Sequence, residues 1–282
     1  MNKINSKLVL ALILLIFISL PVFTTSLLDF EEQKTNEENY QKLLQEESTR
    51  KEIAKKIQEE AEEKKYLTGK FDPSVRKDFV LIPAMYTTNQ SKMYLRKETF
   101  DAFLKMRDAA DKGGIGLRIA SATRNFVYQK NIWNNKWTGV MEVNGENLAK
   151  TIPDSLERFM KILEYSAVPS TSRHHWGTDI DINDATPEYF ESKLGKKTYE
   201  WLVKNAPLFG FCQPYNLKDE NRPTGYNEEK WHWSYLPLSK TFTEEYKDLI
   251  KDDDIKGFLG DENVAGQDLI NNYVLGINPN CL

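Results

Sequence analysis

The sequence predicts an α+β fold. One stretch repeats apolar residues at helical spacing, others alternate like half-buried strands, and the two kinds do not take turns regularly along the chain. With 282 residues, 40% of them hydrophobic and 12% aromatic, the chain can bury one good-sized core.

The elements follow in order. Lys3 and Lys7 precede an apolar run over residues 8–23, short of the ~20 residues that cross a bilayer comfortably. Residues 1–28 therefore read as a signal peptide, with Thr24-x-Ser26 as a small-residue cleavage site, or as an uncleaved membrane anchor extended by Leu27 and Leu28. A buried core helix is the alternative. More than half of residues 31–65 are charged, with both signs mixed and no proline or glycine, so 29–65 reads as a charged helical linker. Leu43, Leu44, Ile53 and Ile57 give it only a patchy apolar stripe, and an exposed helix is favoured over a dedicated stalk.

The folded domain is predicted over residues 66–240, beginning where Gly69, Asp72 and Pro73 break the helix. Phe100, Phe103, Leu104, Met106 and Ala110 predict a helix over 94–112, followed by a buried strand over 115–120. Further helices are expected over 156–167 and 196–206, and strands over 178–183 and 229–235. Residues 241–282 read as a C-terminal helical extension packed on the domain, with the acidic run 252–254 as a solvated face. No internal repeat is present.

A net charge of −4 carries no electrostatic footprint for nucleic acid. Two cysteines, Cys212 and Cys281, exclude a disulfide-rich scaffold and a cysteine-based zinc cluster. One bridge and two buried free thiols are both open. No cysteine follows the apolar run, which rules out a lipoprotein.

All three histidines, His174, His175 and His232, fall in two short aromatic-rich segments beside acidic residues. In a strand over 178–183, Asp179 and Asp181 share one face and Ile180 and Ile182 the other. A histidine just before that strand and an aspartate within it can converge on one ion. The second segment, 229–235, offers the imidazole of His232 and, three residues earlier, the carboxylate of Glu229. Two histidines and one carboxylate leave a fourth zinc position open for water, and a nearby carboxylate that is not a ligand suits a general base.

Ser172-x-His174-x-x-Gly177-x-x-x-Asp181, followed by Glu229-x-Trp231-His232-x-x-Tyr235, resembles the paired signature of the D-alanyl-D-alanine carboxypeptidase family of zinc peptidases. That family includes the vancomycin-resistance type and stands with lysostaphin and the Hedgehog signalling domain. The resemblance spans roughly residues 66–235. It implies one Zn2+ per chain held by His174, Asp181 and His232, Glu229 as catalytic base, and His175 on a variable position outside the ligand set. It also implies a small antiparallel sheet carrying the site, flanked by helices. The segment 121–129 resembles the family's serine-glycine-tyrosine-arginine stretch with its later glutamine. This implies that Arg124 contacts substrate, through a terminal carboxylate or the developing oxyanion, with Gln129 and Ser172 as helpers. Tyr215 keeps an aromatic position of the family's glycine-phenylalanine segment.

Two departures stand out. Asp179 replaces a small residue, either to orient a ligand histidine or as part of a buried ion pair. The arginine that usually precedes the aromatic residue at Tyr215 is absent.

The function implied is a zinc-dependent D-alanyl-D-alanine carboxypeptidase that trims the terminal D-Ala of peptidoglycan stem peptides by attack of a zinc-bound water. An L,D-carboxypeptidase or endopeptidase of the same family is the near alternative, and a non-catalytic zinc-dependent binding module the distant one. The chain is expected to be a monomer in the extracytoplasmic cell envelope, associated with the membrane through its N-terminal apolar segment, with no nucleic-acid partner.

Overall fold

The computed structural model describes the backbone of residues 6–164 and 166–282, and the side chains from residue 29 onward with the same exception. The predicted export or anchor segment, residues 1–28, lies outside the residues whose side chains are described. Among the described residues, no helix is long and apolar enough to cross a membrane. The chain divides into two compact units, Met1–Glu59 and Glu60–Leu282.

The described part of the first unit belongs to one helix, α1 (Ser6–Leu67), and the charged stretch is helical. Ion pairs one turn apart, Glu47–Lys51 at 2.7 Å and Glu52–Lys56 at 3.3 Å, decorate its surface. Leu43, Ile53 and Ile57 are all exposed. Such a helix draws on local propensity and pairing, not on a buried stripe.

The second unit is mixed helix and sheet. After the last turn of α1, where Tyr66 and Leu67 enter the core, come β1 (Phe79–Leu81), β2 (Tyr94–Arg96), α2 (Lys97–Lys112) and β3 (Ile119–Ser121). Then follow α3 (Phe126–Trp137), α4 (Leu148–Thr151), α5 (Ser155–Leu163), β4 (Asp179–Ile182), α6 (Pro187–Glu191) and α7 (Lys193–Asn205). The chain ends with β5 (Phe211–Cys212), β6 (His232–Tyr235), α8 (Leu236–Leu249) and a series of short turns.

Side-chain caps start the helices where the sequence supplies them. Asn125 accepts from the Tyr128 amide at α3, Asp154 from Glu157 at α5, and Ser192 from Gly195 at α7. Helix α2 buries Phe100, Phe103, Met106 and Ala110 along one face.

Four strands form the central antiparallel sheet, in the order β3-β4-β6-β5. The β4–β6 register pairs Asp179 with Ser234, Ile180 with Trp233, and Asp181 with His232. Alternation then sorts the faces. Ile180, Ile182 and Trp233 join Phe103, Met106 and Leu202 in one core cluster, which leaves the two aspartates and His232 on the other face. A second cluster, built on Trp133, Phe159, Trp176 and Tyr246, packs the ends of α1, α3, α5 and α8 together.

Several expected bounds shift. The helix expected over 94–112 starts at Lys97, because residues 94–96 are taken by pairing with β1, a partner distant in sequence. Only Ile119–Ser121 of the strand expected over 115–120 pairs, although Ile115 and Leu117 are buried. Helix α5 stops at Leu163, short of 167, while α7 starts at Lys193, ahead of 196. The expected strand over 229–235 pairs only from His232. Helix α3 was not foreseen, though Asn125 marked its start. The C-terminal segment has one α-helix, α8, which begins at Leu236; beyond it lie 3-10 turns and one π turn. Asp254 of the acidic run is no plain solvated group: it accepts from Lys64 Nζ at 3.2 Å and from the Lys251 amide at 3.0 Å.

Cys212 and Cys281 are joined, which decides between the two readings of the cysteines. The bridge ties β5 to the C-terminal turns across a separation of 69 residues. By chain-entropy reasoning a loop of that length contributes about 4 kcal/mol. The double variant Cys212→Ala/Cys281→Ala should therefore lower the denaturant midpoint substantially; a midpoint within error of the parent would contradict this.

Candidate metal centre and active site

The site forms where a 3-10 turn, Arg173–Trp176, feeds β4. Gly177 reverses the chain there at φ 73°, and a Cβ on it would stand 2.5 Å from the Phe79 ring, so the glycine is demanded twice over. The turn is fastened on both sides. Trp176 Nε1 donates to the Leu67 carbonyl and Tyr66 Oη to the Trp176 carbonyl, while the Arg124 amide donates to the His174 carbonyl.

His174, Asp181 and His232, all buried, offer ligand atoms within 4.8 Å of one another. His174 Nε2 lies 3.4 Å and His232 Nδ1 3.6 Å from Asp181 Oδ1. Both His174 Nε2 and Asp181 Oδ1 are buried without a hydrogen-bond partner among the described residues. Orphaned lone pairs facing each other in a buried pocket are what a cation would satisfy.

The ring tautomers agree with this fit. His174 Nδ1 is 2.8 Å from the Ala122 carbonyl, which can only accept, so the proton sits on Nδ1 and Nε2 presents its lone pair. His232 Nε2 is 2.8 Å from Asp179 Oδ2, which turns Nδ1 towards the cluster. Asp179 is itself held by Arg173 Nε at 3.2 Å, Thr178 Oγ1 at 2.7 Å and Ser234 Oγ at 2.8 Å. Burial would raise the Asp179 pKa, but Arg173 and His232 keep it well below the usual carboxylate range. Of the two readings of Asp179, the structure supports both at once: it is half of a buried ion pair and it orients a histidine.

Burial alone would lower His232, but the Asp179 and Glu229 carboxylates outweigh it and lift the metal-free imidazole to about 9. His174 is lowered by burial and by Arg124.

The remaining expected residues fall as follows. Arg124, Ser172, Tyr215 and Glu229 line one pocket of about 120 Å³ together with the three cluster residues. Glu229 Oε2 is 3.1 Å from His232 Nδ1, on the cluster side of that ring. The Tyr215 ring stands edge-on to His232, centroids 4.8 Å apart. Arg124 emerges after β3, and its Nε is buried without a hydrogen-bond partner among the described residues. Gln129 does not line the pocket; its amide donates to the Ala167 carbonyl at 2.8 Å, and Ala167 does line it. His175 is excluded from the cluster by its own bonds: Nδ1 donates to the Arg124 carbonyl and Nε2 accepts from the Ser170 amide. Burial drops its pKa to about 3, so it is neutral.

Sequence reasoning did not foresee the role of Arg173 beneath Asp179. Its only signal was its place in the motif segment.

A family model described as "VanY: D-alanyl-D-alanine carboxypeptidase" matches residues 92–238. The chain belongs to this family of peptidase hydrolases. YodJ of Bacillus subtilis (strain 168) is 30% identical over 174 residues, 60% of this chain and 56% of YodJ. A D-alanyl-D-alanine carboxypeptidase of Enterococcus faecalis (strain ATCC 700802 / V583) is 31% identical over 131 residues, 46% of this chain and 44% of that protein. The match thus spans about half the length of either relative. Among solved structures, the LdcB LD-carboxypeptidase is 26% identical with a TM-score of 0.44, covering 65% of this chain and 81% of that one. VanYB in complex with D-alanine-D-alanine is 23% identical with a TM-score of 0.43, covering 66% and 93%.

Two outcomes are expected. Asp179→Ala should weaken zinc binding about 10- to 100-fold, as loss of a ligand's orienting partner does. It also leaves Arg173 buried and unpaired, at about 3–5 kcal/mol. Chelator competition and thermal unfolding measure the two effects, and unchanged zinc affinity would contradict the assignment. Because the proton on His232 must leave before Nδ1 can bind a cation, zinc affinity should rise about tenfold per pH unit towards pH 9 and level off above it. Calorimetry at pH 7 in buffers of different ionisation heat should register about one proton released per ion; none released would contradict it.

Proposed function

We propose that the chain is a zinc-dependent D-alanyl-D-alanine carboxypeptidase that removes the terminal D-Ala of peptidoglycan stem peptides. The observation that carries this reading is the cluster of His174 Nε2, His232 Nδ1 and Asp181 Oδ1, with both tautomers set and with Glu229 beside it. One zinc ion held there would supply a Lewis acid for the scissile carbonyl and a water of lowered pKa.

The chain's own residues divide the remaining work. Glu229 sits at the pocket edge, partly exposed, where it can take the proton of the attacking water and pass it to the leaving amine. The C–N bond breaks as the water oxygen bonds to carbon, giving free D-alanine and a peptide one residue shorter. Arg124, whose buried Nε has no hydrogen-bond partner among the described residues, grips the terminal carboxylate through parallel hydrogen bonds or meets the oxyanion. Ser172 contributes a buried hydroxyl to the same wall, and Tyr215 backs the His232 ring. Gln129 acts at one remove, by holding Ala167.

In this reading residues 66–240 form the carboxypeptidase domain, 241–282 pack on it, and 29–65 are a linker. Residues 1–28 deliver the protein, as a monomer, to the cell envelope where its substrate lies.

Digestion of purified muropeptides by the zinc-loaded chain, followed by mass spectrometry, tests the reading. Loss of one D-alanine from pentapeptides is expected. Loss from tetrapeptides alone would indicate L,D-cleavage, a cut within the stem an endopeptidase, and no cleavage a binding module. Glu229→Ala should lower kcat at least about 10²-fold while the protein retains its zinc; activity within a factor of two of the parent would remove Glu229 from the mechanism.

A further inference from the structure

Glu229 stands on irregular chain. It belongs to the segment 213–231 between β5 and β6, which forms neither helix nor strand and has one bridge, Asp219 to Arg222. The Glu229 carboxylate meets His232 Nδ1 at 3.1 Å. Once Nδ1 serves as a metal ligand, that hydrogen bond is gone. The direction of the carboxylate then depends on how the backbone of residue 229 is held, and a loop supplies no such precision by itself.

One buried side chain anchors it. Gln213 follows β5 directly, and its Nε2 donates to the Glu229 carbonyl at 3.1 Å and to the Tyr215 carbonyl at 3.3 Å. The Glu229 amide donates to that same Tyr215 carbonyl at 2.8 Å. Both backbone polar groups of Glu229 are therefore tied to residues 213–215. The Glu229 carbonyl also accepts from the His232 amide at 3.2 Å, which puts base and ligand in one turn. Gln213 is itself oriented, because Tyr199 Oη donates to its Oε1 at 3.0 Å and so leaves Nε2 towards Glu229. Its backbone is held from the far side. Asn278 donates to the Gln213 carbonyl through Nδ2 at 3.2 Å and to the Pro214 carbonyl through its amide at 2.7 Å, and the neighbouring Cys212 is bridged to Cys281. Gln213 does not line the pocket. A buried amide is unfavourable unless its polar atoms are bonded, and here its donors go to the residue that carries the base and to the one that backs His232.

We propose that Gln213 is a positioning residue for the reaction: it clamps the backbone of Glu229 so that the carboxylate keeps its aim when His232 is engaged as a ligand. Tyr199 sets the clamp, and the C-terminal turns around Asn278 and Cys281 brace it. Gln213 acts through Glu229 and touches neither substrate nor the ligand atoms. The inference rests on the carboxypeptidase reading above and deepens it.

Gln213→Met, similar in volume but without the donors, tests this in the zinc-loaded full chain, with muropeptide kinetics and chelator competition as readouts. The kcat should fall about tenfold, as slight misplacement of a catalytic group does, while KM and zinc affinity stay within a factor of about two. Tyr199→Phe keeps the amide but removes the donor that orients it, and should give the same pattern at about threefold. This second variant carries the test if Gln213→Met does not fold. In a Glu229→Ala background, either substitution should change the residual kcat less than about twofold, because the group it aims is gone. A kcat within a factor of about two of the parent in both single variants would overturn the assignment. So would zinc affinity or KM changing in step with kcat, or an undiminished loss in the Glu229→Ala background; each would mark Gln213 as a general support of the fold. These results would leave the carboxypeptidase reading standing, whereas a parent that cleaves no muropeptide would overturn both.

Discussion

The antiparallel register between β4 and β6 is the constraint on which the rest of the site depends. It sets Asp181 opposite His232 and Asp179 opposite Ser234, so that one strand pair supplies two cluster residues and the group that orients one of them. A slip of one residue would turn Ile180 and Ile182 to the polar side and drive both aspartates into the apolar cluster around Phe103 and Met106. The hydrophobic packing of one face thus enforces the chemistry of the other.

Asp179 shows how a buried charge is stabilised here. It accepts from Arg173, Thr178, Ser234 and His232, and Arg173 spends its other donors on Thr243 and Ser234 while lying over the Trp176 ring at 4.7 Å. A fully bonded network of this kind rigidifies what it touches. Through Thr243 it couples β4 and β6 to α8, and through Trp176 it couples them to the end of α1. The family's usual small residue at this position would offer His232 no such partner.

Much of the site was legible in the sequence because its residues come in tight local groups. His174, Gly177 and Asp181 lie within eight positions, Glu229 and His232 within four, and the 178–183 alternation placed both aspartates on one face. What stayed hidden depends on distant pairing. The β1–β2 ladder removed three residues from the expected helix, and the Cys212–Cys281 bridge joins groups 69 residues apart. Arg173 and His175 could not be told from bystanders until their partners Asp179, Ser170 and Arg124 were placed around them. Gln129 resembled a substrate contact by motif, and folding sets it one step behind the pocket wall.

Anomalous diffraction at the zinc edge from crystals of the zinc-loaded chain is the most direct test of the central claim. The account predicts one strong peak about 2.0–2.2 Å from His174 Nε2, His232 Nδ1 and an Asp181 oxygen, with Glu229 outside bonding distance. An ion bound through His175 or through His232 Nε2, or no peak at this cluster, would contradict it.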